Sequence, residues 1–352
     1  MNKARIGIIG VGWWGTVGHL APLSEDPQTE LVAVFSRTEE KAKERAEQYG
    51  VPRYYTDYRR MIDECDLDGV VIATTPNMHY EQALYALEHG LHVLMEKPFV
   101  LKAEHAEHLQ QVAQEKGLKL SVCHPMIYPS WMAEMRQAIQ SGALGNILTV
   151  STIFSQRTIE LYRGEQLVHR RSTDQPRPNV ASYSDPSIVG GGEGHTQTTH
   201  PVGIMLWLTG LQPTSVFAYM NNLDLPLDVV NGILVRFDGG ALGTVTTSGL
   251  IPPRGFVYQI TVIGDEGTIT MDAATRSVFI RGKGDEEPRK IELTYERHTL
   301  GQVPQNFVRA ILGEEEQYVS TDIAINEVRI IDGAYRSAAT GQEIALNPKT
   351  GE

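Results

Sequence analysis

Cysteine is nearly missing from this chain. Cys65 and Cys123 are the only two in 352 residues, and they lack the C-x-x-C spacing of a zinc or dithiol site. A disulfide scaffold is excluded, the pattern fits a reducing compartment, and a cytoplasmic location is expected. Positive charge is also scarce. With 31 Lys and Arg against 43 Asp and Glu, the formal net charge is -12. That balance argues against a phosphate backbone or an anionic membrane surface as partner, so neither nucleic acid nor membrane is expected. No apolar signal region precedes the strand-like Arg5–Ile9, and no run approaches the roughly 20 apolar residues that span a bilayer, so an unprocessed, soluble chain is expected. Repeats are absent, and the low-complexity tracts Gly190–Gly192 and Glu314–Glu316 are too short for a disordered domain.

What the chain has is patterned apolar sequence: 41% of residues are hydrophobic, and the length favours two domains. Up to about Cys123, short apolar strands alternate with amphipathic stretches. The strands are Arg5–Ile9, Leu31–Phe35, Arg53–Tyr55, Gly69–Ile72, His92–Met95 and Leu118–Val122, with helices such as Glu39–Tyr49 and Ala103–Lys116 between them. This alternation predicts an α/β domain, a doubly wound parallel sheet wrapped by helices, over residues 1–123. From Gly145 the pattern changes. Ile147–Phe154, Val216–Met220, Ile233–Phe237, Ala241–Thr247, Gln259–Ile263, Thr268–Met271 and Val278–Ile280 read as strands separated by turns such as Asp238-Gly239-Gly240. Residues 124–352 are therefore expected to form an α+β domain with a largely antiparallel sheet. Helices from near Thr199, Gln305–Leu312 and Ile323–Ala339 would cover one face and leave the other open for self-association.

The first strand runs directly into Gly10-Val11-Gly12-Trp13-Trp14-Gly15. A G-x-G-x-x-G turn between a strand and a helix suits a dinucleotide: its glycines permit a tight turn, close pyrophosphate approach and helix–strand packing. Trp13 and Trp14 belong to the same candidate cofactor loop. After the second strand, where an acid usually binds the ribose 2'-hydroxyl, the chain has Ser36-Arg37, which favours NADP over NAD. Thr74, Thr75, Pro76, Asn77 and His79 follow the fourth strand at the expected cofactor edge, and a plain strand-end turn is the competing reading.

After the fifth strand come Glu96, Lys97 and Pro98, with Glu96 and Lys97 also expected at the cofactor. Ligands of open α/β sheets bind beyond the carboxyl ends of the strands, so Lys97 is placed to donate to a substrate oxygen as hydride leaves or arrives. A second constellation, Gly190 to Pro201, brings His195, Thr196 and His200 onto a glycine-rich approach to a helix. Because Pro201 fits a first helical turn, the helix is expected to begin near Thr199 or His200, with His200 kept neutral by the dipole and ready to take a proton. A zinc site from Glu193, His195 and His200 lacks the right spacing, and no metal is expected. The segment Gln156–Asp185 carries Arg157, Arg163, Arg170, Arg171 and Arg177 with Tyr162 and Tyr183. These arginines either wall a substrate site or pair with Glu160, Glu165 and Asp174 at the surface.

These residues, in this order, resemble the glucose-fructose oxidoreductase, inositol dehydrogenase and rhizopine-catabolism family, written Gfo/Idh/MocA. The likeness rests on Gly10–Gly15, Ala73–His79, Gly90–Pro98, Ser141–Gly145, the triple glycine at Gly190 and Ile263–Thr268. It implies an N-terminal Rossmann domain, a C-terminal open-faced sheet used for a homodimer or homotetramer, and nicotinamide-dependent redox chemistry on a sugar, polyol or sugar derivative. It also implies Lys97 and His200 as the catalytic pair. Candidate substrate contacts are Lys97, His124, Tyr128, Arg157, Tyr162, His195, Thr196 and His200. Family members commonly carry an aspartate four residues before the histidine, where this chain has Thr196, and His124 and Met126 stand where an amide and an arginine are frequent. Two other readings remain beside the dehydrogenase: a cofactor-retaining lyase or glycosidase acting through a transient keto-sugar, and a non-catalytic dinucleotide-dependent regulator.

Overall fold

In the computed structural model, residues 2–167, 177–293 and 299–346 are described. Arg170, Arg171 and Asp174 of the arginine-rich segment lie outside them. The chain divides into two units. The first takes its described residues from Met1–Pro125, Arg170–Ser182 and Arg297–Ile325, and the second from Met126–His169, Tyr183–Glu296 and Asn326–Glu352.

In the first unit, β1 (Ala4–Ile9), β2 (Thr29–Phe35), β3 (Arg53–Tyr55), β4 (Gly69–Ile72), β5 (His92–Met95) and β6 (Leu120–Val122) form one sheet. Its order is β3-β2-β1-β4-β5-β6 and every pairing is parallel. Central strands covered on both faces read as unbroken apolar runs, and β4 is buried at every residue. The strand order reverses between β1 and β4, which opens a crevice at their carboxyl ends. The helix Thr299–Ile311, far downstream, joins this unit because its apolar stripe of Val303, Phe307, Val308 and Ala310 is buried. Gln317 and Thr321 then satisfy the Leu120 carbonyl on edge strand β6. A single boundary after Cys123 does not anticipate these returns, since hydrophobic period says that a helix has a buried face but not what buries it.

In the second unit, β7 (Ile147–Gln156), β8 (Pro213–Asn221), β9 (Val230–Phe237), β10 (Leu242–Ser248), β11 (Phe256–Gly264), β12 (Thr268–Asp272), β13 (Ser277–Arg281), β14 (Arg289–Glu292) and β15 (Ile344–Ala345) form a mixed sheet. Its order is β14-β13-β12-β11-β7-β10-β9-β8-β15. Only β7 and β10 run parallel; the other pairings are antiparallel. The mostly charged four-residue β14 and the two-residue β15 give no period-two signal and are absent from the sequence reading. Along β9, Asn231, Ile233, Val235 and Phe237 are buried while Gly232, Leu234 and Arg236 are exposed. The helix Thr199–Thr209 packs beneath β7 and β10 and against the helix Ser130–Gln140, with the Arg136 guanidinium 4.3 Å from the Trp207 ring centroid. The opposite face carries exposed Ile153, Tyr219, Leu234, Leu242, Val257, Ile263 and Phe279.

Candidate active site

The parallel ladder of the first sheet continues one residue past each strand. Gly10 N donates to Phe35 O (3.0 Å), Ala73 N to Ile9 O (2.8 Å), Glu96 N to Ile72 O (2.9 Å) and Cys123 N to Met95 O (2.8 Å). The glycine turn, the Thr74–Asn77 segment, Glu96-Lys97 and Cys123-His124 are thus set side by side along one edge, with neighbouring strands about 4.8 Å apart.

The three glycines have separate jobs. Gly10 has φ +104, and a Cβ there would lie 2.6 Å from Ala73 O. A Cβ on Gly15 would overlap the Gly10 carbonyl oxygen, so that glycine lets the helix close on the strand. A Cβ on Gly12 meets nothing within 4 Å, which leaves room for a phosphate to approach the backbone. These residues fit a dinucleotide pyrophosphate. Trp13 and Trp14 meet edge to face at 5.6 Å in the same turn. At the end of β2, Ser36 Oγ accepts from Thr38 N (3.4 Å) and Arg37 is exposed. Thr75 caps the helix Pro76–Glu88 with extended backbone, its Oγ1 bonding Asn77 Oδ1 (2.7 Å), while Thr74 Oγ1 bonds Gln82 Oε1 (2.5 Å).

Two residues expected at the cofactor are turned into the protein. His79 is buried, and its Nδ1 contacts the Pro98 carbonyl (2.9 Å) and the Phe99 carbonyl (3.2 Å), so it anchors the chain beyond Lys97. Burial drives its pKa down. The Glu96 carboxylate is also buried: Oε1 contacts His19 Nε2 (2.6 Å) and Oε2 accepts from Lys97 N (3.1 Å). Burial alone would raise the Glu96 pKa, but contact with His19 and Cys123, together with the Lys97 charge, holds it below the ordinary value. Burial and the Glu96 charge push the Cys123 thiol well up. His124 is buried beside them and falls to about 4, because burial and the Lys97 charge outweigh the attraction of Glu96. His19, Glu96 and Cys123 present donor atoms within 4.8 Å of one another. The 2.6 Å His19–Glu96 contact is a hydrogen bond, since two ligands of one zinc ion, each about 2 Å from it, stand farther apart.

In the second unit the helix does not begin at Thr199. Helical structure starts at Glu193, a π-helical turn covers Gly194–Thr198, and Thr199–Thr209 continues it. His200 is therefore more than a turn inside, and the expected dipole effect of a first-turn position does not apply to it. The reason is Pro201: an α-helical ladder cannot use its missing N–H, and the π turn just before it re-registers the bonds so the helix passes through.

Four expected substrate contacts in this unit are engaged inside the protein, three by hydrogen bonds and His195 by ring stacking. Thr196 Oγ1 contacts Gly192 O (2.8 Å) and the Tyr162 hydroxyl (2.5 Å), which also donates to Glu193 Oε2 (2.8 Å). Thr158 Oγ1 donates to the same oxygen at 3.0 Å. His195 stacks on Tyr335 with ring centroids 4.6 Å apart, and burial lowers it to about 4 against the opposing pull of Asp228. Arg157 is tied to Glu160 (2.5 Å) and Ile251 O (2.9 Å), which favours the paired reading for that arginine. Tyr128 and His200 are half-buried, and the His200 ring lies 6.0 Å from that of Phe154.

The residues that organise this network were not all visible in sequence. Asp228 accepts from Gly192 N and Gly194 N (both 2.7 Å), Tyr335 Oη (2.7 Å) and Asn231 Nδ2 (2.8 Å), which fixes the glycine-rich approach from three other segments. Glu193 could be noticed from its place among glycines. Nothing local marks Asp228, Tyr335 or, in the first unit, His19.

Comparison with known proteins agrees with this architecture. Residues 4–124 match the family described as "Oxidoreductase family, NAD-binding Rossmann fold", and residues 132–270 match the "GFO/IDH/MocA C-terminal domain". The chain is 26% identical to scyllo-inositol 2-dehydrogenase (NADP(+)) IolW of Bacillus subtilis (strain 168), over 74% of this chain and 67% of that protein. It is 24% identical to levoglucosan dehydrogenase of Pseudarthrobacter phenanthrenivorans, over 86% and 83%. A solved structure of levoglucosan dehydrogenase with NADH and levoglucosan has the same fold, with a TM-score of 0.84, 21% identity, and coverage of 99% of this chain and 100% of that one. With a matching domain on each side of residue 125, the chain belongs to the Gfo/Idh/MocA family of oxidoreductases.

Proposed function

We propose that this protein is an NAD(P)-dependent dehydrogenase or reductase of a sugar, polyol or sugar derivative, with Lys97 and His200 as its catalytic pair. The observation that carries the reading is the alignment of the open Gly12 turn, Thr74–Asn77 and Lys97 along the carboxyl edge of one parallel sheet. The nicotinamide supplies hydride acceptance or donation at a secondary alcohol or ketone carbon. Lys97 donates from its ammonium group to the oxygen on that carbon and stabilises alkoxide character. His200 takes or returns the hydroxyl proton, a role that falls to it because Thr196 has no carboxylate. Ser36 and Arg37, with no acid at the end of β2, support NADP over NAD. The inositol and anhydrosugar enzymes among the relatives support a polyhydroxylated substrate.

Self-association through the uncovered face of the second sheet belongs to the same reading. That face alternates apolar residues with threonines, as where Leu234 lies opposite Thr244.

The test is a cofactor-reduction screen with NAD and NADP over inositols, aldoses, uronates, anhydrosugars and glycosides, run in parallel on Lys97→Met. Turnover of a polyhydroxylated substrate that the variant loses is the expected result. A screen with no cofactor turnover but with product formed on retained cofactor would favour the redox lyase instead.

A further inference from the structure

His19 stands fully buried on the helical turn after the glycine loop. Its Nε2 is bonded to Glu96 Oε1 at 2.6 Å, while its Nδ1 has no hydrogen-bond partner among the described residues. Among the described residues the ring's one hydrogen bond is to Glu96. That carboxylate in turn accepts the Lys97 backbone N–H through its other oxygen, at 3.1 Å.

The surroundings make this link electrostatic as well as geometric. Cys123 and His124 reach Glu96 from the end of β6, His79 senses its charge from the helix Pro76–Glu88, and the Lys97 ammonium acts on Glu96, Cys123 and His124. Cys123 and His124 are held in their neutral forms, so Glu96 is the anion among the three groups on which the Lys97 charge acts. Resting on the assignment of Lys97 above, we propose that His19 is a positioning residue: it orients the buried Glu96 carboxylate, which fixes the Lys97 backbone and favours the charged form of its side chain. The glycine-loop helix and the catalytic strand end are thereby joined through one hydrogen bond, so the turn that receives the dinucleotide also sets the lysine.

The experiment uses the full chain and the substrate found in the screen, with melting temperature and cofactor dissociation constant measured for each variant. His19→Leu should lower kcat about tenfold or more, the scale of a lost charge-assisted bond at a catalytic group, with cofactor affinity within about twofold. His19→Gln, whose amide N–H can stand near the place of Nε2, should restore most of that loss. Glu96→Gln removes the anion but keeps an acceptor for Lys97 N, so the alkaline limb of the kcat profile should move to lower pH by about one unit. Unchanged kcat in His19→Leu overturns the proposal. So does a joint loss of kcat, cofactor affinity and melting temperature that His19→Gln does not rescue, or an unmoved limb in Glu96→Gln. Lys97→Met separates the two levels: if it keeps turnover, the lysine assignment fails, and if it is inactive while His19→Leu is not, only the positioning role fails.

Discussion

Lys97 holds a single charge whose position depends on its neighbours: its backbone is bonded to Glu96, and the chain beyond it is held by His79. Lys97→Met keeps most of the side-chain volume and removes the donor, so turnover should fall about a hundredfold or more, the usual cost of one such donor. Cofactor affinity should change little; a steady-state assay beside a fluorescence titration measures both. At Ser36 the expected effect is on cofactor choice. Ser36→Asp would repel a 2'-phosphate and offer the ribose diol an acceptor, moving preference toward NAD. Titration of both cofactors against both proteins checks it, and tighter NAD binding by the unaltered protein would contradict the reading of Ser36-Arg37.

Among the elements, the glycine turn separates folding from binding within a few residues. A side chain at Gly15 collides with the Gly10 carbonyl, whereas one at Gly12 enters open space. Gly15→Ala should therefore destabilise the protein by about 1–3 kcal/mol, in the range of other overpacked sites. Gly12→Val should leave the melting temperature near its original value while weakening dinucleotide binding at least tenfold. Denaturant melts and cofactor titrations of the two variants should give opposite patterns. The π turn before Pro201 makes a similar point about local rules. Proline marks a helix boundary in sequence, yet the helix runs from Glu193 through Thr209 because the turn absorbs the missing donor. Nothing within the segment distinguishes these outcomes.

For the whole molecule, acid sensitivity follows from buried histidines, and the proposed self-association is open to a direct test. His124 in the first unit and His195 in the second both fall from 6.5 to about 4 through burial. Between those two pH values the unfolded chain binds protons that the folded one refuses, so stability drops as pH falls through that window. Each histidine contributes at most about 3 kcal/mol to that drop. His195→Phe should flatten the lower part of the stability–pH curve obtained from denaturant melts. The proposed self-association would use the uncovered face of the second sheet. Leu234→Glu with Tyr219→Lys should halve the mass measured by light scattering, or reduce it further, while leaving each chain folded.

The elements of both sheets were largely legible in sequence because apolar period depends on neighbouring residues: β3, β4 and β5 lie where alternation and turn residues place them. The glycine loop and Lys97 were legible for a related reason, since in a parallel sheet a residue just past a strand must fall on the carboxyl edge. Glu96 and His79 show where that reasoning stops, because a residue's place along the chain does not say whether its side chain faces the edge or the interior. His19, Asp228 and Tyr335 lie far in sequence from the residues they hold, with 77 positions between His19 and Glu96 and 107 between Tyr335 and Asp228. Hydrogen bonds over such separations leave no periodic trace, and burial that lowers a histidine depends on elements packed from elsewhere. Sequence alone determined the parallel sheet, the glycine turn and the lysine at its edge. Which polar side chains turn inward to hold them was decided only by tertiary packing, where each buried charge or N–H must find its partner.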